Sequence, residues 1–250
     1  MNIYFIFSSK RSGTHLISNI IMNSYDISLY KNDCLYKNDS SDDITRCLYK
    51  GEYEFKKYTR NIGKNYIGTK DIRKIGNIRE YNCIVFSAEE FSLKYFIERL
   101  YQSFIAKLEN VLGKFNLYIV QNVRDPRNIL ASCLKIGWYD DIIRKVLNNQ
   151  HESLINYNIP NTYLCIYDKI ILDKTYLSEL SSKLKLNNQK SIESLNYVDS
   201  FGGGSSFNSI TRVDICKYLE RYKSFENTER YRLLLDTKHL ELYVKIYNAK

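Results

Sequence analysis

Residues 8–14 of this 250-residue sequence combine a glycine, hydroxyl groups and basic side chains in a pattern that suits anion binding. Their sequence is S-S-K-R-S-G-T, between an apolar run at residues 3–7 and an amphipathic pattern over residues 16–21. A buried strand, a short glycine-containing loop and a helix offer an anion unpaired backbone N–H groups and the positive end of a helix dipole. Lys10 and Arg11 add cationic donors. This first loop is therefore predicted to bind a phosphate or a sulfate.

A second group of basic and hydroxyl residues follows the apolar run at residues 117–120. Asp125 and Pro126 suit the cap and the first turn of a helix, but that structural role does not explain the arginine before them. Arg124 and Ser132 are eight positions apart, which places the arginine at a strand end and the serine about a turn and a half into the next helix. Both can then reach one phosphate, as a charge-assisted donor and a hydroxyl donor.

The two loops resemble the donor-binding motifs of the sulfotransferase family. Residues 10–15, K-R-S-G-T-H, are similar to that family's 5′-phosphosulfate loop, which is commonly P-K-S-G-T-T or R-S-G-T/S. Arg124 and Ser132 keep the order and spacing of the family's arginine and serine that hold the donor's 3′-phosphate. Arg11 occupies a position where many members carry lysine, and this resembles the Golgi and bacterial carbohydrate sulfotransferases.

The resemblance implies a sulfotransferase that depends on PAPS (3′-phosphoadenosine 5′-phosphosulfate). A sulfuryl group would pass to an acceptor hydroxyl by in-line displacement, with PAP as the leaving group. The arginine-type loop makes a carbohydrate or a glycolipid the expected acceptor. The donor-binding residues that the resemblance implies are Lys10, Arg11, Ser12, Gly13, Thr14, His15, Arg124, Ser132 and, in a late glycine-containing loop, Gly203, Gly204, Ser205 and Arg212.

Sulfuryl transfer requires a base for the acceptor's proton and cations for the charge that develops on the leaving phosphate. Lys10 and Arg11 are the predicted catalytic cations. An arginine there neutralises charge without donating a proton, because it stays protonated in proteins. The candidates for the base are Glu89, Glu90 and His15.

Glu89 is the preferred base because its neighbour has another predicted role. Residues 87–90, S-A-E-E, match a capping box with Ser87 as the N-cap and Glu90 at the third helical position. Glu89 has no such role, and it follows an apolar run at residues 83–86. In an open α/β sheet, ligands collect at that end of a strand.

Apolar runs alternate with amphipathic helical patterns along the chain, which predicts βαβ units and a mostly parallel sheet. The predicted fold is a three-layer α/β, P-loop NTPase-like fold with a mostly parallel central sheet, formed by residues 1–250 as a single domain. A polar, irregular excursion is expected at about residues 25–60 and a helical part at about residues 211–250. Strands are predicted at residues 3–7, 83–86, 117–120 and 163–167, and helices at residues 16–21, 93–108, 126–134 and 172–186.

The composition gives weaker evidence about the binding partners and the cellular compartment than the two loops give about function. The chain has 37 Lys and Arg against 28 Asp and Glu, a net charge of +9, which favours an anionic partner but fits a bias toward Asn, Ile, Lys and Tyr equally well. The six cysteines are scattered, and His151 and His239 are predicted at the surface, so neither a metal site nor a disulfide framework is expected. The absence of a long apolar run and of a signal peptide predicts a cytoplasmic protein without a membrane span.

Two other functional classes are compatible with the sequence. A P-loop-like ATP-dependent phosphotransferase is disfavoured because the Walker A spacing G-x-x-x-x-G-K-[ST] is absent and no strand end offers convincing acidic Mg²⁺ ligands. A nucleotide-binding module without catalysis is the second alternative. Nucleic acid is not an expected partner, because the sequence shows no base-stacking motif of an RNA-recognition domain.

Overall fold

A computed structural model of the chain describes residues 1–31, 55–59, 63–67, 80–89, 91–155, 162–187 and 219–249. The strands in this part of the chain are β1 (Asn2–Ser8), β2 (Ile27–Lys31), β3 (Phe55–Thr59), β4 (Gly63–Ile67), β5 (Cys83–Glu89), β6 (Asn116–Val123) and β7 (Thr162–Ile166). They form one sheet in the order β4-β3-β2-β5-β1-β6-β7. The neighbouring strands β2, β5, β1, β6 and β7 pair in parallel. At the edge next to β2, β3 pairs with β2 in the antiparallel direction, and β4 pairs with β3 in the same way. The predicted mostly parallel sheet is confirmed.

Helices connect these strands and cover the sheet. They are α1 (Thr14–Asn23), α2 (Leu93–Tyr95, a π-helical turn Phe96–Leu100, and Tyr101–Leu112), α3 (Pro126–Lys135), α4 (Asp140–Ile155), α5 (Tyr167–Leu172), α6 (Lys174–Lys183), α7 (Glu229–Leu234) and α8 (Thr237–Ala249). As predicted, Pro126 occupies the first turn of α3, with Asp125 as its cap. In the described ranges, no helix combines the length and the apolar character that a membrane crossing requires.

β1 lies in the middle of the parallel strands and is buried on both faces, as its continuous apolar run predicts. On one face, the rings of Phe5 and Phe7 each lie 4.9 Å from the ring of Phe96 in α2. On the other face, Tyr4 packs in a cluster with Ile17 of α1. Helices on both faces of the sheet give the three-layer α/β fold, so this prediction is confirmed.

The polar stretch at about residues 25–60 is not irregular throughout, because it begins with β2 and ends within β3. The five residues of β2, I-S-L-Y-K, are too few for a clear alternating pattern. Their burial comes from the parallel pairing of β2 with β5, a contact between distant parts of the chain. Residues 32–54 lie outside the described part.

The helix predicted at residues 172–186 is instead the pair α5 and α6. Asp173 stands between the two helices, and its carboxylate accepts hydrogen bonds from the backbone N–H groups of Thr175 and Tyr176. These bonds make Asp173 the N-cap of α6. Tyr167, predicted as the end of the fourth strand, belongs to α5.

α4 and α8 meet at a stacked pair of histidines. The ring centroids of His151 and His239 are 4.0 Å apart, with an angle of 28° between the rings. His239 is buried, so its predicted surface position is wrong. Burial lowers the pKa of His239, and His151 lowers it further, whereas Asp236 on the preceding turn raises it.

The free energy of unfolding is expected to decrease as the pH falls below about 6.5. A histidine with a lowered pKa in the folded protein binds fewer protons there than in the unfolded chain, where the pKa is 6.5. The contribution of neutral His239 to the free energy of unfolding is therefore fully present above about pH 6.5, the pKa in the unfolded chain. It is lost as the pH falls through the folded-state pKa. Urea unfolding from about pH 8 to 5.5 measures this loss. His239→Phe, which keeps a stacked ring without a titrating group, should flatten the profile; an unchanged slope would contradict the assignment.

Candidate anion-binding site

The two predicted loops meet at the carboxyl edge of the parallel sheet. β1, β5 and β6 end level with one another, because Ser8 is in register with Glu89 on one side and with Asn122 on the other. The first loop connects β1 to α1, and Arg124 directly follows β6. Open α/β sheets bind their ligands at this edge.

The first loop contains a left-handed turn. Arg11 and Gly13 have φ angles of 66° and 96°, and Gly13 is the N-cap residue of α1. Turns of this kind can direct successive backbone N–H groups toward one side, an arrangement that binds anions. Two hydroxyls predicted to contact the donor also hold the loop itself: Ser12 Oγ donates to a loop carbonyl at 2.6 Å, and the Thr14 and Ser8 hydroxyls are 2.7 Å apart.

Gly13 lies against the buried ring of Tyr167 in α5. A Cβ atom added to Gly13 would be 2.2 Å from two carbons of that ring. Both the left-handed φ and the close approach of the ring therefore require glycine at this position. The loop and α5 are in contact although their residues are far apart in sequence.

Gly13→Ala is expected to lower the free energy of unfolding by about 1–3 kcal/mol more than Gly137→Ala does, because only the first substitution forces a methyl group into a packed ring. Gly137 is a matched control: its φ is 75°, and a Cβ atom there meets nothing within 4 Å. Urea unfolding of the two variants separates the ring contact from backbone strain. Equal losses in both would show that the Tyr167 ring yields without a penalty.

Two buried amides fasten the two loops to each other. Gln150 of α4 accepts a hydrogen bond from Ser9 Oγ at 2.8 Å and donates from Nε2 to the carbonyl oxygen of Arg124 at 2.9 Å. Asn122 of β6 donates to the carbonyl oxygen of Ser12 at 3.0 Å. Neither amide was predicted from the sequence, because each lies in an ordinary strand or helix pattern without a motif around it.

Arg11, Arg124 and Ser132 form the centre of the site. Arg11 Nε donates to Ser132 Oγ at 2.9 Å, and Arg124 Nη1 donates to the carbonyl oxygen of Arg11 at 3.0 Å. The structure therefore brings together the residues predicted for the two ends of one donor. Burial lowers the pKa of Arg11 and Arg124 lowers it further, whereas Cys133 and Glu89 oppose this shift. An arginine remains charged despite such shifts.

The guanidinium group of Arg124 is buried and incompletely paired. The residue is 3% exposed, and its Cζ atom lies 4.3 Å from the centroid of the Tyr167 ring. Its Nε and Nη2 atoms have no hydrogen-bond partner among the residues that the structure describes. A buried cationic donor without an acceptor is unfavourable. These two N–H groups are therefore suited to an anionic ligand.

Arg221 is a third arginine at this centre and was not predicted from the sequence. It begins the 3₁₀ turn Arg221–Ser224, is buried, and its Nη1 atom is 3.4 Å from Ser132 Oγ. No glycine, proline or strand pattern stands next to it in the sequence, so nothing local distinguishes it from a surface arginine.

Glu89 is the last residue of β5, half-buried and level with the first loop. The predicted capping box around it is wrong. Ser87 is a buried residue within β5, because pairing with β1 extends that strand through Glu89. The N-cap of α2 is Ser92, whose hydroxyl accepts a hydrogen bond from a backbone N–H of the first turn.

The other predicted site residues are divided between the first loop and parts that the structure does not describe. Lys10 lies in the first loop and His15 in the first turn of α1, and both are half-buried. Over the described ranges, no three His, Cys, Asp or Glu side chains are placed to hold a metal ion. The residues outside the described ranges are Glu90, Gly203, Gly204, Ser205 and Arg212.

The fold is similar to that of a solved sulfotransferase domain. The sulfotransferase domain from the Synechococcus PCC 7002 olefin synthase matches 99% of this chain and 94% of its own, with a TM-score of 0.53 and 14% sequence identity. The sulfotransferase domain from the curacin biosynthetic pathway matches 93% of this chain and 95% of its own, with a TM-score of 0.41 and 11% identity. No protein-family model and no curated protein matches the chain. The first similarity establishes a sulfotransferase-like fold.

Proposed function

We propose that this protein is a sulfotransferase that transfers a sulfuryl group from PAPS to an acceptor hydroxyl and releases PAP. The observation that carries the proposal is the buried Arg124, whose Nε and Nη2 atoms lack partners in the described part of the chain. Its Nη1 atom contacts the first loop at Arg11, which in turn contacts Ser132. A donor with separate phosphate groups at its 3′ and 5′ positions suits a site with two adjoining cationic centres. The sulfotransferase-like fold is consistent with this activity.

The donor's two ends are assigned to the two loops. The 3′-phosphate would be held by Arg124, Ser132 and Arg221. Arg124 Nε and Nη2 have no hydrogen-bond partner among the described residues, Arg221 lies at the Ser132 hydroxyl, and Arg11 contacts both Ser132 and Arg124. The 5′-phosphosulfate would lie at the first loop and the N-terminus of α1, where backbone N–H groups and the helix dipole stabilise negative charge. Lys10 and Arg11 supply the positive charge at that end.

Glu89 is the proposed general base. Its carboxylate ends β5 level with the first loop and interacts electrostatically with Arg11. As Glu89 takes the acceptor's proton, the acceptor oxygen bonds to sulfur and the bond from sulfur to the bridging phosphate oxygen breaks. The electron pair of that bond remains on PAP, where Lys10 and Arg11 neutralise it. The predicted reaction needs no metal ion.

The acceptor is proposed to be a hydroxyl of a carbohydrate or a glycolipid. The support for this class is Arg11, because an arginine at this position of the loop resembles the carbohydrate sulfotransferases. The test is sulfate transfer from labelled PAPS to a panel of simple sugars, glycolipids, phenols and hydroxylated acyl compounds. Transfer confined to the last two groups would overturn this acceptor class without affecting the proposed donor.

Calorimetric titration with PAP, ADP and AMP, with and without Mg²⁺, tests the donor. Tight binding that requires the 3′-phosphate and is independent of Mg²⁺ is the expected result. Preference for ADP in the presence of Mg²⁺ would overturn the proposal in favour of an ATP-dependent phosphotransferase.

A further inference from the structure

Tyr243, in the C-terminal helix α8, reaches the site through a buried hydrogen bond. Its hydroxyl donates to Asp168 Oδ2 at 2.5 Å, and both residues are buried. Burial raises the pKa of Tyr243 and the adjacent Asp168 raises it further, so the phenol keeps its proton and remains a donor. Asp168 Oδ2 also accepts a hydrogen bond from the backbone N–H of Asp125 at 2.9 Å.

The N–H group that Asp168 holds belongs to the peptide unit that joins Arg124 to Asp125. The carbonyl group of the same unit accepts the hydrogen bond from Gln150. Both polar groups of this peptide are therefore fixed by side chains. The Arg124 guanidinium lies on the ring of Tyr167, the residue before Asp168. Two consecutive residues of α5 thus contact Arg124: Tyr167 packs against its side chain, and Asp168 binds the peptide group that follows it.

Asp168 also carries a carboxyl group that interacts with the Arg124 side chain. This interaction is electrostatic, and Asp168 Oδ1 has no hydrogen-bond partner within the described ranges. A carboxylate released from its Oδ2 contacts can turn toward the Arg124 guanidinium, whose Nε and Nη2 have no hydrogen-bond partner among the described residues, because a bidentate ion pair satisfies both groups. Such a pair would occupy the N–H groups that an incoming phosphate needs.

We propose that Tyr243 is a positioning residue for the donor's 3′-phosphate: by holding Asp168, it keeps the Arg124 guanidinium available to the ligand. This inference rests on the proposed function. It assigns to α8, which carries none of the sequence motifs, a role in donor selection. Arg124 remains the group that touches the ligand, and Tyr243 acts on it through Asp168.

The test is calorimetric binding of PAP and AMP to Tyr243→Phe. PAP should bind about 10-fold more weakly, whereas the affinity for AMP, which lacks the 3′-phosphate, should be unchanged. Tyr247→Phe is the matched control, because it removes a hydroxyl from the same helix and its ring is 5.9 Å from that of Tyr243. In an Asp168→Asn background, which removes the competing charge, Tyr243→Phe should have no further effect on PAP.

Equal weakening of PAP and AMP would indicate a merely structural role and would overturn the inference, as would unchanged PAP binding. If the wild-type protein binds PAP no better than AMP, the proposed function fails instead. Pyrophosphate then serves as the anion, and its affinity should still fall in Tyr243→Phe but not in Tyr247→Phe. A wild-type protein that binds none of the three compounds would overturn both proposals.

Discussion

Replacing Arg124 with alanine is expected to weaken PAP binding by about 2–4 kcal/mol, which corresponds to about 30- to 700-fold in Kd. The substitution removes a buried cation that is 3% exposed and whose Nε and Nη2 have no partner in the described ranges. An ion pair in such a position is poorly screened by solvent. Calorimetry with PAP measures the loss directly. AMP binding should change much less, because Arg124 is assigned to the 3′-phosphate.

Arg127→Ala is the matched control for this substitution. Arg127 lies three residues further along the same turn, but its guanidinium is paired with Asp125 at 2.6 Å and lies over the ring of Tyr222. It has these partners without a ligand, so its loss should leave PAP affinity within about threefold of wild type. Comparable losses in both variants would mean that general positive charge, and not the Arg124 site, binds the nucleotide.

Glu89→Gln is expected to lower the turnover number by about 10²- to 10⁴-fold while PAP affinity stays near that of wild type. Glutamine retains the shape of the side chain but cannot accept the acceptor's proton. Turnover requires sulfate transfer from labelled PAPS to an acceptor from the panel, and calorimetry supplies the donor affinity of the same variant. A variant that binds PAP and still transfers sulfate at the wild-type rate would exclude Glu89 as the base.

Glu152→Gln is the control for Glu89→Gln, because it removes another carboxylate near the carboxyl edge of the sheet. Glu152 lies on α4, lines the same small cavity as Ser8 at the end of β1, and accepts a hydrogen bond from the Ser92 hydroxyl. Its role is to hold the start of α2, so the variant should keep most of its turnover and lose some stability. The opposite result, with turnover lost in Glu152→Gln and kept in Glu89→Gln, would move the base to α4.

The parts of the fold that were predicted correctly are those encoded by short stretches of sequence. The run at residues 3–7 is apolar at every position, and β1 is indeed buried on both faces. The Asp125–Pro126 pair sets the start of α3, because a cap and a first-turn proline act within a few residues. The predictions failed where a distant partner decides the outcome. Ser87 has the local signature of a cap, but pairing with β1 keeps it in a strand.

The sequence by itself determined the first loop, the spacing of Arg124 and Ser132, and the parallel strands β1, β5, β6 and β7, since these depend on local steric and hydrogen-bonding preferences. The tertiary structure alone decided that Tyr167 supports Gly13 and Arg124, and that Arg221 and Tyr243 belong to the site. These contacts join residues that are far apart in sequence. They depend on which strands are neighbours and how the helices pack, and hydrophobic periodicity shows which face of an element is buried but not which partner covers it.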